Sequence, residues 1–263
     1  MVTTKIICFR EVSDLLVLQE LRNVFFRSCP VIFMNMARSV KSIVKAITPK
    51  PLLLQFQKLW RAYYWSRRSK IDSRKNAKVI TKVLAGQVPI KLELGSSRRP
   101  GRDDWIFSDI SGGGDIQLDF TDPIPFPDSS IDYIYSSHIL EHFSYPHPML
   151  DFLSECRRIL KFGASFSIAV PNAKLFLDAY ARPQAFDKDK YCSWDVGLKY
   201  QNSIDFVNFI AYMGGDHKHL FDTNNLVTVL EEVGFRDVHI RTFDPGLDLE
   251  VRKHESIYAV AIK

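Results

Sequence analysis

Cysteine is scarce and scattered: four residues, Cys8, Cys29, Cys156 and Cys192, in a chain of 263. No C-x-x-C pair occurs, which argues against a disulfide framework and against structural zinc, and fits a reducing, cytoplasmic compartment. No metal ligand is assigned from these spacings. Long apolar runs are missing as well. The N-terminal apolar stretches are broken by Arg22, Arg27, Arg38 and Lys41, and none reaches the roughly 20 residues that a membrane span needs. Glu11, Asp14 and Glu20 interrupt the start, and no small-residue cleavage site follows an apolar run, so no secretory signal is expected. Neither an internal repeat nor a low-complexity tract is present.

Acidic residues are also few in the first third of the chain. Residues 1–90 hold 17 Lys and Arg against 4 Asp and Glu, whereas residues 91–263 hold 18 against 26. The net charge of +5 therefore conceals a basic segment joined to an acidic domain. Such a split points to a polyanion or an anionic membrane surface as a partner of the basic part, or to a helical segment that packs on the acidic domain. From Met36, Val40, Ile43, Val44 and Ile47 recur at helical spacing with Arg38, Lys41 and Lys45 between them; Leu52 to Trp65 is rich in Leu and aromatics and ends in Arg67-Arg68-Ser69-Lys70. Residues 36–70 thus have the pattern of basic amphipathic helices that lie in a membrane interface or pack on a protein surface. The acidic domain repels phosphate, so nucleic acid is not an expected partner, and the basic segment carries no recognisable nucleic-acid module.

Ala77–Leu84 reads as one more helix, and Gly86 with Pro89 marks entry to the main domain. The expected division is a basic helical N-terminal extension over 1–85 and a domain over 86–263. Within the latter, strand and helix patterns alternate, as in an α/β sheet. Strands are expected at Ile90–Leu94, Trp105–Ile110, Ile116–Leu118, Ile131–Ser136, Ser165–Val170, Arg236–Phe243 and Ser256–Ile262. Helices are expected from Met149 to Leu160, with Gly163 just beyond, and after the cap at Asp222 or Thr223, with Gly234 at the end. Residues 173–215 read as an irregular connection rich in Phe, Tyr and Trp, the kind of insertion that serves as a lid or substrate-binding element, or that fills a small core of its own.

Chemistry-bearing residues gather at the expected strand ends. Glu93 and Gly95 close the first strand, followed by Ser96; a glycine there lets a ligand approach the backbone. Asp109 and Ile110 close the second, where a carboxylate can accept both hydroxyls of a ribose or cap a turn. Asp119 and Phe120 follow the third, placed to flank an adenine or to form another turn. Ser137 and His138 close the fourth. His138, His142, His217 and His219 are candidate bases, with Glu141 as an orienting carboxylate, because an unperturbed imidazole titrates near 6.5.

Five stretches together resemble a known family: Leu92-Glu93-Leu94-Gly95, the Phe107–Ile110 strand end, Pro125-Phe126-Pro127-Asp128-Ser129-Ser130-Ile131-Asp132, Ser137-His138-Ile139-Leu140-Glu141-His142 and Leu160-Lys161-Phe162-Gly163. They are similar to the class I S-adenosylmethionine-dependent methyltransferases, in the type 11 methyltransferase-domain branch, over roughly residues 88–263. The later His217–Phe221 and Glu232–Phe235 stretches fit the same branch. The resemblance implies a Rossmann-like seven-stranded sheet in the order 3-2-1-4-5-7-6, its last strand antiparallel, and S-adenosylmethionine as cofactor. It places Glu93 and Gly95 along the methionine part, Asp109 at the ribose, Asp119 and Phe120 at the adenine, and Ser137 and His138 beside the sulfonium, with Ser96 and Ile110 also counted as cofactor-binding. Separately from the resemblance, His142 and His217 lead the candidate bases, with His138 beside them. Two departures stand out: the usual G-x-G is Gly95-Ser96-Ser97, without its second glycine, and the interval from Gly95 to Asp109 is shorter than the roughly 20 residues of a dinucleotide fingerprint.

The expected activity is methyl transfer from S-adenosylmethionine to a small molecule or to a saccharide of a glycan precursor. The other reading is an inactive methyltransferase-like scaffold held to a membrane or partner through its basic helices. Either would be cytoplasmic, the basic helices placing it peripherally at the inner face of a membrane. Oligomeric state is open.

Overall fold

The computed structural model describes residues 73–96, 99, 102–182, 186–192 and 202–263. Residues 36–70, and with them the expected membrane-contacting helices, lie outside these. Among the described residues no helix is long and apolar enough to cross a membrane.

Six strands form one sheet: β1 (Lys91–Leu94), β2 (Trp105–Ser108), β3 (Ile131–Ser137), β4 (Leu160–Pro171), β5 (Arg236–Arg241) and β6 (Ser256–Ile262), in the order β2-β1-β3-β4-β6-β5. β1 pairs in parallel with both β2 and β3, and β3 with β4; β6 runs antiparallel to β4 and β5. One face of the central strands is apolar: Leu92, Ile134 and Phe166, in register across β1, β3 and β4, are fully buried together with Ile168, while the opposite face buries Glu93, Tyr135 and Ser167. This is the expected Rossmann-like order with one strand fewer.

The missing strand is the one expected at Ile116–Leu118. It is reduced to a single parallel bridge between Ser108 and Ile116. The cause lies in a helix, α1 (Ser73–Leu84). Its Asn76 side chain donates to the Gln117 carbonyl (2.7 Å) and accepts from the Gln117 N–H (3.0 Å). Both backbone groups of Gln117 are thereby satisfied, and a ladder cannot extend past Ile116. α1 also buries Ile80 in the main core, so this helix, expected on the far side of the 85/86 division, packs against the main domain.

Two further boundaries differ from expectation. The helix α2 (Met149–Ile159) buries Met149, Phe152, Leu153, Cys156 and Ile159 along one stripe, but it passes straight into β4 at Leu160, which is extended (φ −64°, ψ 141°). Gly163, expected to follow the helix, is instead a left-handed residue (φ +76°) near the start of β4, where its N–H meets the Lys263 carbonyl. The aromatic insertion is helical rather than irregular: α3 (Ala173–Ala181), α4 (Lys188–Tyr191) and α5 (Ile204–Tyr212). Ala173, Phe176, Phe209 and Ile210 make a second small core there, with Phe186 stacked near Phe176 and Phe206. Helix α6 (Thr223–Glu232) starts on Asp222, whose carboxylate accepts from the Asn225 N–H, and is followed by left-handed Gly234, as the sequence implies.

Candidate active site

The sheet order turns back between β1 and β3. At such a switch point the connections leave in opposite directions and open a crevice at the strands' carboxyl ends. A cavity of about 180 Å³ lies there, walled by Glu93, Leu94, Gly95, Ser96, Ser137, Leu249 and Arg252. It is smaller than typical ligand pockets of roughly 300–1,000 Å³. The antiparallel β6 explains the last two residues: because β5 ends and β6 begins at this same edge, the segment joining them folds across it.

That segment is tied down by arginines that sequence reasoning missed. Glu93 is 2% exposed, and its Oε2 accepts from Arg99 Nη2 (2.7 Å), Arg99 Nε (3.2 Å) and Arg102 Nη1 (3.0 Å). Arg102 also donates to the carbonyls of Gly246 and Leu247, and Arg99 to Leu247. No described residue donates to Glu93 Oε1. Asp248 accepts from both terminal nitrogens of Arg241, from the Tyr135 hydroxyl and from the Asp244 N–H. On the opposite wall Arg252 Nη1 donates to the carbonyl and hydroxyl oxygens of Ser137, while its buried Nε has no hydrogen-bond partner. Burial lowers the Arg252 pKa. A signal for these partners did exist in the sequence. The last connection is far longer than a hairpin turn, and Arg99 and Arg102 follow closely on a buried acidic strand end.

Gly95 is left-handed (φ +78°), and a Cβ built on it would stand 2.0 Å from Ile139 Cδ1. The backbone approach that demands glycine is therefore made by a side chain of the following β3 connection. Gly95→Ala is expected to cost about 1–3 kcal/mol, from the left-handed backbone and the crowding together. Urea unfolding of this variant and of Gly95→Ala/Ile139→Ala separates the two, since only the crowding is relieved in the double variant. A loss below about 0.5 kcal/mol would contradict the packing described.

The expected cofactor residues are not all brought to one cavity. Glu93, Gly95, Ser96 and Ser137 share the one described. Asp109 and Ile110 lie just beyond β2, next to Ser108, whose carbonyl receives the N–H groups of Gly95 and Ser96. The Asp109 carboxylate accepts from the Ser111 N–H, and Asp119 accepts from the Thr121 N–H and hydroxyl; both form local turns. Asp119 borders a different cavity, of about 380 Å³, between α1 and Leu118–Pro125. Phe120 is buried against Phe152.

The histidines form a second group beside the first cavity. His138 is left-handed (φ +55°); its Nε2 pairs with the Ser256 hydroxyl at 2.7 Å, and burial holds its pKa well below the ordinary value. Leu140–His142 is a single 3₁₀ turn. Within it Glu141 is 1% exposed and neither carboxylate oxygen has a hydrogen-bond partner; burial pushes its pKa up to about 8. His142 is partly exposed and lies edge-on to the buried His217, ring centroids 5.3 Å apart. Burial lowers the pKa of His217. His219 turns to Asn225 at 3.0 Å.

Residues 107–168 match a family model described as a methyltransferase domain. No curated protein matches the chain. Among solved structures, the chain is similar to an S-adenosylmethionine-dependent methyltransferase from Archaeoglobus fulgidus (17% identity, 80% of this chain and 99% of that one, TM-score 0.40). It is similar also to one from Mesorhizobium loti (15% identity, 69% and 95%, TM-score 0.42). A third is Haemonchus contortus phosphoethanolamine N-methyltransferase 2 in complex with S-adenosyl-L-methionine (12% identity, 73% and 52%, TM-score 0.40). At such identities and scores each is a likeness and transfers no activity.

Proposed function

We propose that this chain, which carries a methyltransferase domain by its match over residues 107–168, transfers a methyl group from S-adenosylmethionine to a small molecule or a saccharide precursor. One observation carries the reading: the cavity with Glu93, Gly95 and Ser137 in its walls stands at the switch point between β1 and β3, where open α/β sheets take their ligands. Its polar groups suit the amino-acid end of that cofactor. Glu93 Oε1, which accepts from no described residue, is matched to an ammonium. Arg252 Nε, a buried donor without a partner, is matched to a carboxylate. Asp109, one residue beyond the Ser108 carbonyl that anchors Gly95 and Ser96, is proposed for the ribose, with Asp119 and the backbone N–H of Phe120 proposed for the adenine.

His138, His142 and His217 are proposed for the acceptor side. Methyl transfer is an in-line displacement, so holding the acceptor in register with the sulfonium supplies much of the rate. The saccharide class rests on the family resemblance alone.

Titration calorimetry with S-adenosylmethionine and with its demethylated product tests the reading. Binding of both is expected. Asp109→Ala should weaken it by about 1.5–3 kcal/mol, the scale of a hydrogen bond involving a charged group. Absence of heat with either ligand would overturn the assignment of the cavity, and an unchanged affinity in the variant would remove Asp109 from the ribose.

A further inference from the structure

The buried carboxylate of Glu141 is the least explained group in the molecule. A carboxylate withdrawn from water normally keeps several acceptor sites filled, yet neither of its oxygens has a hydrogen-bond partner among the described residues. Two imidazoles lie close to it. His138 Nδ1 lies 3.7 Å from Oε1 and His142 Nε2 4.0 Å from the same oxygen. One ligand atom each from Glu141, His142 and His217 lie within 4.8 Å of one another.

The two rings are also prepared in a particular way. His142 Nδ1 faces the Asp216 carbonyl at 3.1 Å, and His217 Nδ1 faces the Ile210 carbonyl at 2.7 Å. A carbonyl only accepts, so in each neutral ring the proton sits on Nδ1 and Nε2 carries a bare lone pair. A backbone carbonyl behind each imidazole is the outer support that metal-ligating histidines habitually have.

We propose that Glu141, His142 and His217 bind a divalent transition-metal ion, zinc being the best match to two imidazoles and one carboxylate. Three protein ligands with a further position left to water or substrate is the arrangement of catalytic rather than structural zinc. Ligands about 2.0–2.2 Å from an ion stand roughly 3.3–3.6 Å apart in a tetrahedron. Each of the three atoms must therefore close in by less than about an ångström. His142 is the partly exposed member of the three, which gives the ion a path from solvent. The sequence offered no such site because His217 lies 75 residues beyond His142, outside any metal-ligand spacing. On this assignment His142 and His217 are ligands and not bases. The ion adjoins the proposed cofactor cavity, since Ser137 of the cavity wall directly precedes His138, whose Nδ1 lies 3.7 Å from Glu141 Oε1. There its open position would hold an acceptor oxygen, a role that, unlike binding itself, rests on the methyltransferase reading.

The test uses untagged full-length protein, stripped with EDTA and dialysed. Titration with cobalt(II) is expected to yield visible d–d absorption saturating at one ion per chain, and zinc should abolish it by competition. Magnesium, which prefers oxygen ligands and full hydration, should not compete. His142→Ala and His217→Ala should each weaken cobalt binding at least about tenfold, the lower end of what loss of even an outer-shell partner costs. Because His217 is buried, a misfolded His217→Ala leaves His142→Ala, whose side chain is partly exposed, as the deciding variant. His147→Ala, at the surface beside Asp151, should bind as the native chain does. Absent absorption, competition by magnesium, or unweakened binding in His142→Ala would overturn the site. Cofactor calorimetry run in EDTA keeps the two readings apart: heat with S-adenosylmethionine but no cobalt spectrum removes the metal alone, whereas a cobalt spectrum without cofactor heat removes the methyl transfer and leaves the site.

Discussion

Asp248→Ala is expected to lower stability by about 3–5 kcal/mol, the cost of removing one partner from a buried ion pair. The Asp248 side chain is fully buried and Arg241 nearly so, at 0% and 14% exposure. Both terminal nitrogens of Arg241 reach it, at 2.6 and 2.7 Å, a bidentate pairing that fixes geometry as well as charge. Alanine would leave the guanidinium unneutralised over the Tyr258 ring and would strip the Tyr135 hydroxyl and the Asp244 N–H of their acceptor. Urea unfolding measures the loss. Asp248→Leu combined with Arg241→Met should be markedly more stable than Asp248→Ala, because an apolar pair of similar bulk leaves no stranded charge. A single-variant loss below about 1 kcal/mol would mean that the pair behaves as a surface salt bridge.

Glu93→Gln is expected to have an effect of the same order on stability, about 3–5 kcal/mol, and to abolish cofactor binding as well. The carboxylate is the only described acid on Arg99 and Arg102, whose side chains are 15% and 11% exposed. Both guanidiniums lie over the Tyr135 ring, and Arg102 also over Trp105. A glutamine keeps the shape and loses the charge, so both arginines lose the described carboxylate that they share. The same two arginines hold the Gly246 and Leu247 carbonyls, so the segment over the cavity loosens with them. Salt should rescue little, since buried charges are poorly screened. The measurements are the urea midpoint at low and high ionic strength and calorimetry with S-adenosylmethionine. Native-like stability would show that the arginines do not depend on Glu93, and native-like affinity would remove Glu93 from the cofactor site.

Much of the layout is legible along the chain. Leu92 and Leu94 bracket Glu93 in a run that is apolar on both sides, and Gly95 ends it, so a buried strand closing on an acid and a glycine follows from local pattern. Leu153 and Cys156, at helical spacing, identify α2 just as directly, and Asp222 identifies the start of α6. Other features are hidden by long-range or competing interactions. Ile116–Leu118 has a strand's composition, but Asn76, 41 residues earlier, occupies the backbone groups that a strand would use. Phe176 and Phe209 look like loop aromatics until α3 and α5 bring them together. Asp109 follows β2 and Asp119 ends no strand, and each closes a turn with a residue two positions on, a local competitor that the sequence pattern does not reveal.

By itself, the amino-acid order determined the alternation of strand and helix, the strand sequence around β1, and the placing of Glu93 in β1 and Ser137 at the end of β3. Those follow from periodicity and turn chemistry, which act over a few residues. Only the tertiary structure decided which of these groups meet: Glu93 with Arg99 and Arg102, Asp248 with Arg241, and Glu141 and His142 with His217. Such meetings depend on long-range packing, where burial makes an unpaired charge or lone pair costly, and no local rule selects the partner that removes the cost.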